Sequence, residues 1–267
     1  MAVQDSFGRL TVFEDFLTLF EDTDTAIVDA DGLRHNDVLI IAVSGDVAMN
    51  STVDEPNGVA QFSGAGGAGD GIVISTSPLR PDRNGTIVTG GRAKMASITD
   101  GRFFAGFMST MDRDESLIPF TLSGTTLTAN NSGEAVGFYV DFGATTDDMR
   151  FMSSTAGAAD TTAAVINHVN GTTTTLGSLG VRANATLAAD KYFVWRVEMD
   201  NDGTVRGYFG DESMLVKGPK LIATLKAGTM TTTALYFPAC AITSTSTGDP
   251  LFEVDYFHAS GARYWGA

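Results

Sequence analysis

The chain reads as all-β, a sandwich or barrel, and three observations predict it. Short apolar or alternating segments follow one another along 267 residues. Clusters of Gly, Asn, Asp, Ser and Thr separate them at short, fairly regular spacing, the punctuation of strands and turns. Helical periodicity surfaces in one stretch, and no repeat, heptad or proline-rich linker interrupts the pattern. A single compact domain over 1–267, with its core in about 7–265, is the expectation at this length.

The predicted strands run in order as "VLIIAV" (38–43), "GIVIST" (71–76), "GTIVTGGRAKM" (85–95), "FFAGFM" (103–108), "AVGFYVDF" (135–142), "MRFM" (149–152) and "AVINHV" (164–169). They continue with "YFVWRVEM" (192–199), "TVRGYF" (204–209), "ALYFPACAI" (234–242) and "LFEVDYFHA" (251–259). In "FEDFLTLFED" (13–22), Phe13, Phe16, Leu17 and Phe20 have i, i+3, i+4, i+7 spacing, so a short N-terminal helix competes there with an edge strand running into a loop. "FSGAGGAGDG" (62–71) is too rich in glycine for regular structure and reads as a surface loop.

The acidic knot Asp200-Asn201-Asp202-Gly203 could close a metal loop or turn a hairpin. Counted from Glu198, the carboxylates at 198, 200 and 202, with Gly203 and Val205, take positions 1, 3, 5, 6 and 8 of an EF-hand loop. Position 12, which must be a bidentate Glu, is Phe209, and both flanks alternate as strands rather than helices. Phe193, Trp195, Val197 and Met199 share one face; Val194, Arg196 and Glu198 share the other. Beyond the knot, Val205 and Phe209 oppose Thr204, Arg206 and Tyr208, and Asp-Gly between alternating strands predicts a hairpin.

Charge and cysteine usage exclude several classes. Seventeen Lys and Arg against 32 Asp and Glu leave −15, which repels nucleic acid and anionic lipid. No stretch approaches the roughly eighteen apolar residues of a membrane span, and the N-terminus lacks the basic and apolar regions of a signal peptide. The lone Cys240, set in "ALYFPACAI", reads as a buried small hydrophobe rather than a nucleophile, because nothing local supplies exposure and a cation.

A strand of the form aromatic-x-aromatic-x-[VI]-E, followed by Asp-x-Asp-Gly-Thr and a second strand, resembles the concanavalin A-like (laminin G and glucanase type) jelly roll, particularly virion structural proteins of tailed bacteriophages. "NGTIVTGGRAKMASITDGRFFAGFMS" (84–109) is similar to that family's paired strands, x-E-x-R-x-K and then F-x-G-F, with Gly91 in the acidic place. "PFTLSGTTLTANNSGEAVGFYVDFGATTDDMRFMS" (119–153) resembles the segment that follows. "LFEVDYFHASGARYW" (251–265) resembles the closing strand, which pairs beside an N-terminal strand, here within "FGRLTVFEDF" (7–16). The resemblance implies an antiparallel jelly-roll β-sandwich and a component that decorates the capsid or belongs to a fibre.

Glucanases of this fold carry E-x-D-x-x-E on one strand, and Glu253-Val254-Asp255-Tyr256-Phe257-His258 invites comparison with it. Retaining hydrolysis needs two carboxyl groups about 5 Å apart across the scissile bond. The last acid is here His258, and the stretch is the closing strand. Glu253 and Asp255 are expected on a solvated face, with Phe252, Val254 and Tyr256 on the apolar one.

His35, His168 and His258 each lack a second ligand at metal spacing. "GAGGAG" (64–69) follows no βα unit and precedes Asp70, so a phosphate there would face an acid. Asp29-Ala30-Asp31-Gly32 and Asp147-Asp148 read as solvated turns before cation sites. No catalytic, cofactor-binding or metal-ligating residue is assigned.

The sequence therefore predicts a non-enzymatic virion protein, a decoration or cement protein on the outside of a phage head, made in the host cytoplasm. Its expected partners are the major capsid protein and copies of itself, a trimer being favoured, with no nucleic acid and no membrane. The alternative is a lectin-like fibre or vertex protein that binds a glycan of the host surface, with Tyr208, Trp265 and Asn201 as scattered candidates. A glycoside hydrolase is the third reading.

Overall fold

The computed structural model describes residues 2–4, 9–16, 25–27, 32–43, 47–51, 58–64, 67, 69–96, 101–111, 118–123, 126–129, 133–142, 149–154, 165–169, 172–174, 189–211, 219–228, 230–245 and 251–262. The first half holds β1 (Ala2–Gln4), β2 (Arg9–Glu14), β3 (Thr25–Ile27), β4 (Gly32–His35), β5 (Val38–Val43), β6 (Val47–Ser51), β7 (Ala60–Gly64), β8 (Gly71–Ser75), α1 (Pro81–Asn84), β9 (Ile87–Met95) and β10 (Gly101–Met108). The second holds β11 (Phe120–Ser123), β12 (Thr126–Ala129), β13 (Ala135–Asp141), β14 (Arg150–Ser154), β15 (Val165–Val169), β16 (Thr172–Thr174), β17 (Phe193–Met199), β18 (Val205–Asp211), β19 (Lys220–Leu225), β20 (Phe237–Ser244) and β21 (Leu251–Ala262).

Two antiparallel sheets form a concanavalin A-like jelly-roll sandwich. One, the β21 sheet, runs β19-β18-β17-β9-β21-β7-β6-β3, with β2 beside β21 and β1 beside β2. The other, the β10 sheet, runs β16-β15-β14-β13-β10-β20-β8-β5-β4. At twelve residues, β21 is long enough to hold β9 along one flank and β7 and β2 end to end along the other. The closing strand thus pairs with the N-terminal strand as the resemblance implies, Arg9 opposite Ala262 and Glu14 opposite Phe257.

Side chains that alternate inward from both sheets meet in one core. Phe103 from β10 packs edge-on against Phe193 and Trp195 of β17, at centroid distances of 5.1 and 5.9 Å. Phe138 meets Phe151 and Phe209 at 5.0 and 5.4 Å. Each aromatic pair adds roughly 0.5–1.5 kcal/mol beyond the area it buries, because ring edges meet ring faces.

Each predicted strand forms, with ends shifted by a few residues. The unpredicted ones are short, or irregular like the edge strand β19, whose register shifts against β18 between Gly207 and Tyr208. The helix alternative for 13–22 fails at its start, because Phe13 and Glu14 belong to β2 and pair with β21. The ladder wins over the 3.6-residue periodicity, and Phe16 then leaves the strand at φ 54°, its amide donating to the Glu14 carboxylate at 3.0 Å. Residues 17–22 lie outside the described residues.

Candidate functional site

The knot at 200–203 is a hairpin turn. Met199 and Val205 are paired, the Gly203 amide donates to the Asp200 carbonyl at 3.0 Å, and Gly203 sits at φ 82°, a region that glycine enters without strain. The carboxylates are held by protein groups. Asp200 accepts from the Thr86 hydroxyl at 2.8 Å and pairs with Arg206 at 2.6 Å. Asp202 accepts the Thr204 amide at 2.8 Å, and that bond holds its carboxyl below the usual range. Asp200's hydrogen bond is likewise what raises Arg206.

The predicted glycine loop 62–71 is shorter than expected, since 62–64 belong to β7, with Phe62 in the core, and Gly71 opens β8; what lies between binds its own acid. The Asp70 carboxylate, in a buried residue, accepts the Gly67 amide at 2.6 Å. It stands where a bound anion would otherwise satisfy that N–H group. Cys240 is fully buried in β20, and burial pushes its thiol well up, out of the nucleophilic range. His35 on β4 and His168 on β15 lie toward opposite edges of the β10 sheet, while His258 is on the β21 sheet. Among the described residues, no three His, Cys, Asp or Glu side chains converge in a group that could hold a metal. The turns at 29–31 and 147–148, like Trp265, lie outside the described residues.

The closing strand corrects the prediction in two places: Glu253 is buried instead of solvated, and Tyr256 changes face. Its register against β9 shifts between Val254 and Tyr256, a bulge that leaves Asp255 extra. A bulge inverts the alternation beyond it. Tyr256 therefore faces outward opposite Arg92, not inward with Phe252 and Val254, and stacks on Phe13 at 5.5 Å and 22°. A further correction concerns Gly91. It faces the core, where any Cβ would collide with the Trp195 ring; the residue that shares the outer face with Arg92 and Lys94 is Gly90.

The outer face of the β21 sheet emerges as the candidate site. Lys94 and Glu253 are paired at 2.7 Å, Arg92 and Asp255 at 2.7 Å, and Gln61 donates to Glu253 at 3.1 Å. The Arg92 guanidinium lies 3.9 Å from the Tyr192 ring centroid, a cation–π contact that fixes its plane. Farther along, Glu198 receives Arg196, Arg206 and the Tyr208 hydroxyl. Burial, then the Glu198 charge, raise the Tyr208 phenol above its ordinary range; burial and Asp255 do the same at Tyr256. Tyr208 thus has a place on this face, whereas Asn201 is exposed at the turn.

Sequence reasoning missed the stack of Phe13 on Tyr256, because the bulge hid Tyr256. The readable signal was Phe13, an aromatic residue in the outward register of "RLTVFE".

Part of the other sheet's outer face is covered. Phe104, Tyr139, Met152, Ala239 and Ala241 form a second apolar cluster on it, joined by Phe120 from the β11–β12 hairpin and by Ile118 just before it. Phe120 meets Phe104 and Tyr139 at 5.9 and 5.7 Å. The acid on this face, Asp141, receives Arg102 at 3.0 Å and the Tyr139 hydroxyl at 3.2 Å.

The fold is that of a concanavalin A-like β-sandwich, and one of its sheets carries a polar and aromatic outer surface. A Shewanella oneidensis MR-1 protein of unknown function shares this fold, with a TM-score of 0.55 and 10% identity over 100% of this chain and 92% of that one. The carbohydrate recognition domain of Emp47p superposes more weakly, at TM-score 0.46 and 10% identity over 90% and 96% of the two chains. So does the exoplasmic/lumenal domain of VIP36 in its Ca2+/Man3GlcNAc-bound form, at 0.46 and 10% over 91% and 90%. No family profile and no curated protein matches the chain.

Proposed function

We propose that the chain is a non-enzymatic, glycan-binding module of lectin type that works through the outer face of the β21 sheet. The observation that carries this reading is the Phe13–Tyr256 stack, with Phe13 44% exposed beside the Arg92–Asp255 pair. An aromatic face among fixed polar groups suits a sugar, whose ring offers C–H groups on one side and hydroxyls at its rim. A glycan array with the wild-type chain and Tyr256→Ala tests it. Hits that vanish in the variant support the reading, and an empty array removes it.

Hydrolysis has less support, since Lys94 and Gln61 close on Glu253 and Arg92 closes on Asp255. The third place of the glucanase triad is His258.

A second reading is favoured by the family-like stretches that succeed one another from 84 to 265: a decoration protein on a phage head, trimeric and bound to the major capsid protein. The number of copies per major capsid subunit in purified particles tests it. A simple lattice fraction supports decoration, a few dozen copies favour a fibre or vertex protein, and absence ends the virion reading.

A further inference from the structure

Resting on the glycan reading, we infer that the ligand is a linear, uncharged polysaccharide that lies across the strands of the β21 sheet rather than a single sugar held at one point. The pairing registers set one row of outward positions in line: Leu221, Tyr208, Arg196, Gly90, His258 and Phe13, on β19, β18, β17, β9, β21 and β2. Five steps between neighbouring strands make this row about 24 Å long. Its two ends are among the exposed large hydrophobic side chains, Leu221 at 50% and Phe13 at 44%. At its middle Gly90 adds no side chain and is itself buried, and a Cβ there would stand 2.9 Å from the Trp195 carbonyl oxygen.

The row thus crosses the strands with an exposed apolar contact at each end. Between them, Tyr208 presents a ring whose hydroxyl is tied to Glu198 at 3.3 Å, and Arg196 presents guanidinium N–H groups from a half-exposed side chain. A chain of sugar rings matches both needs: apolar ring faces toward Leu221, Tyr208 and Phe13, and hydroxyls toward Arg196 and His258.

Charge selects the class. On this face Arg92, Lys94, Arg196 and Arg206 are matched by Asp255, Glu253, Glu198 and Asp200. The patch offers no net charge, although the chain carries −15. An anionic polymer would be repelled by the remaining surface without local compensation, and a cationic one would have no reason to prefer this face. A neutral polymer loses nothing.

The test is affinity electrophoresis of the full chain in gels that contain hydroxyethylcellulose, galactomannan, dextran, alginate or hyaluronate. Titration with a di-, tetra- and hexasaccharide of each retarding neutral polymer follows, with Phe13→Ala and Leu221→Ala as variants and a melting curve to verify folding. Retardation by a neutral polymer at low and high salt alike, affinity that rises from disaccharide to hexasaccharide, and a loss of about fivefold for the hexasaccharide in each variant are expected.

Retardation by alginate or hyaluronate that salt abolishes would overturn the inference and leave the glycan reading standing. So would binding that saturates at the disaccharide and ignores Leu221→Ala. If no glycan binds here or on the array, both fall. Self-association abolished by Leu221→Asp in a chain that binds no glycan would make the face a contact between copies.

Discussion

The two outer faces of this sandwich solve the same problem in opposite ways. On the β21 sheet, ion pairs and tyrosines cover the strands themselves, with no further strand layer above them among the described residues. On the β10 sheet the outward residues are mostly apolar, and a hairpin roofs them. The strand sequences record the difference: β17 alternates buried with partly open positions, whereas every residue of β13 is buried. Alternation therefore reports a face that meets water, and its absence reports a third layer.

The largest expected effect breaks the roofed side. Phe120→Ala removes the ring that seals Phe104 and Tyr139, and should cost about 3–5 kcal/mol, measured by denaturant unfolding. A cost below about 1 kcal/mol would mean that the hairpin merely rests on the sheet.

Next, Gly91→Ala tests how tightly β9 backs onto Trp195. Overpacking of this kind costs about 1–3 kcal/mol, and the added methyl would also lie 2.7 Å from the Tyr256 carbonyl oxygen. The paired substitution Trp195→Phe with Gly91→Ala should recover part of that loss, as a double-mutant cycle would show.

On the open side, Lys94→Met leaves the largely buried Glu253 carboxylate without its cation, at a cost of about 1–3 kcal/mol. Phe13→Ala, on the same face but exposed, should shift stability by no more than about 1 kcal/mol. The ratio of Phe120→Ala to Phe13→Ala is the comparison expressed as a measurement.

A pH effect is the last. Burial first, and then its bond to Glu134, raise the Tyr236 phenol far above the ordinary tyrosine range. The folded chain then holds this proton more tightly than the unfolded chain. The resulting stability is present below the unfolded pKa of about 10 and is lost as pH rises beyond it. Tyr236→Phe should lose about 1 kcal/mol at neutral pH and show a shallower alkaline decline in unfolding midpoints. An unchanged alkaline slope would assign the decline to other groups.

Much of the fold was legible, because the strands announce themselves by apolar runs between Gly-Asp-Asn turns, and the 200–203 hairpin could be told from a calcium loop by Phe209 and the strand alternation of its flanks. The pairing of β2 with β21 was also readable, through resemblance. The site was much less so. Asp255 as a bulge residue depends on how β21 fits β9 over its full length, which no local pattern encodes, and that bulge decides where Tyr256 points. Phe13 seemed to belong to a helical stripe, because two periodicities overlap at 13–17 and only the long-range ladder chooses between them. The roofing hairpin was hidden because strands with uninterrupted apolar sequence look alike whether a helix, a sheet or a hairpin covers them.

The pairing of Arg9 with Ala262 has a mechanical consequence. The first and last residues of this ladder are neighbours across one antiparallel pair, about 5 Å apart. Tension applied between them would open the β2–β21 ladder one rung at a time, like a zipper, instead of shearing all its hydrogen bonds together.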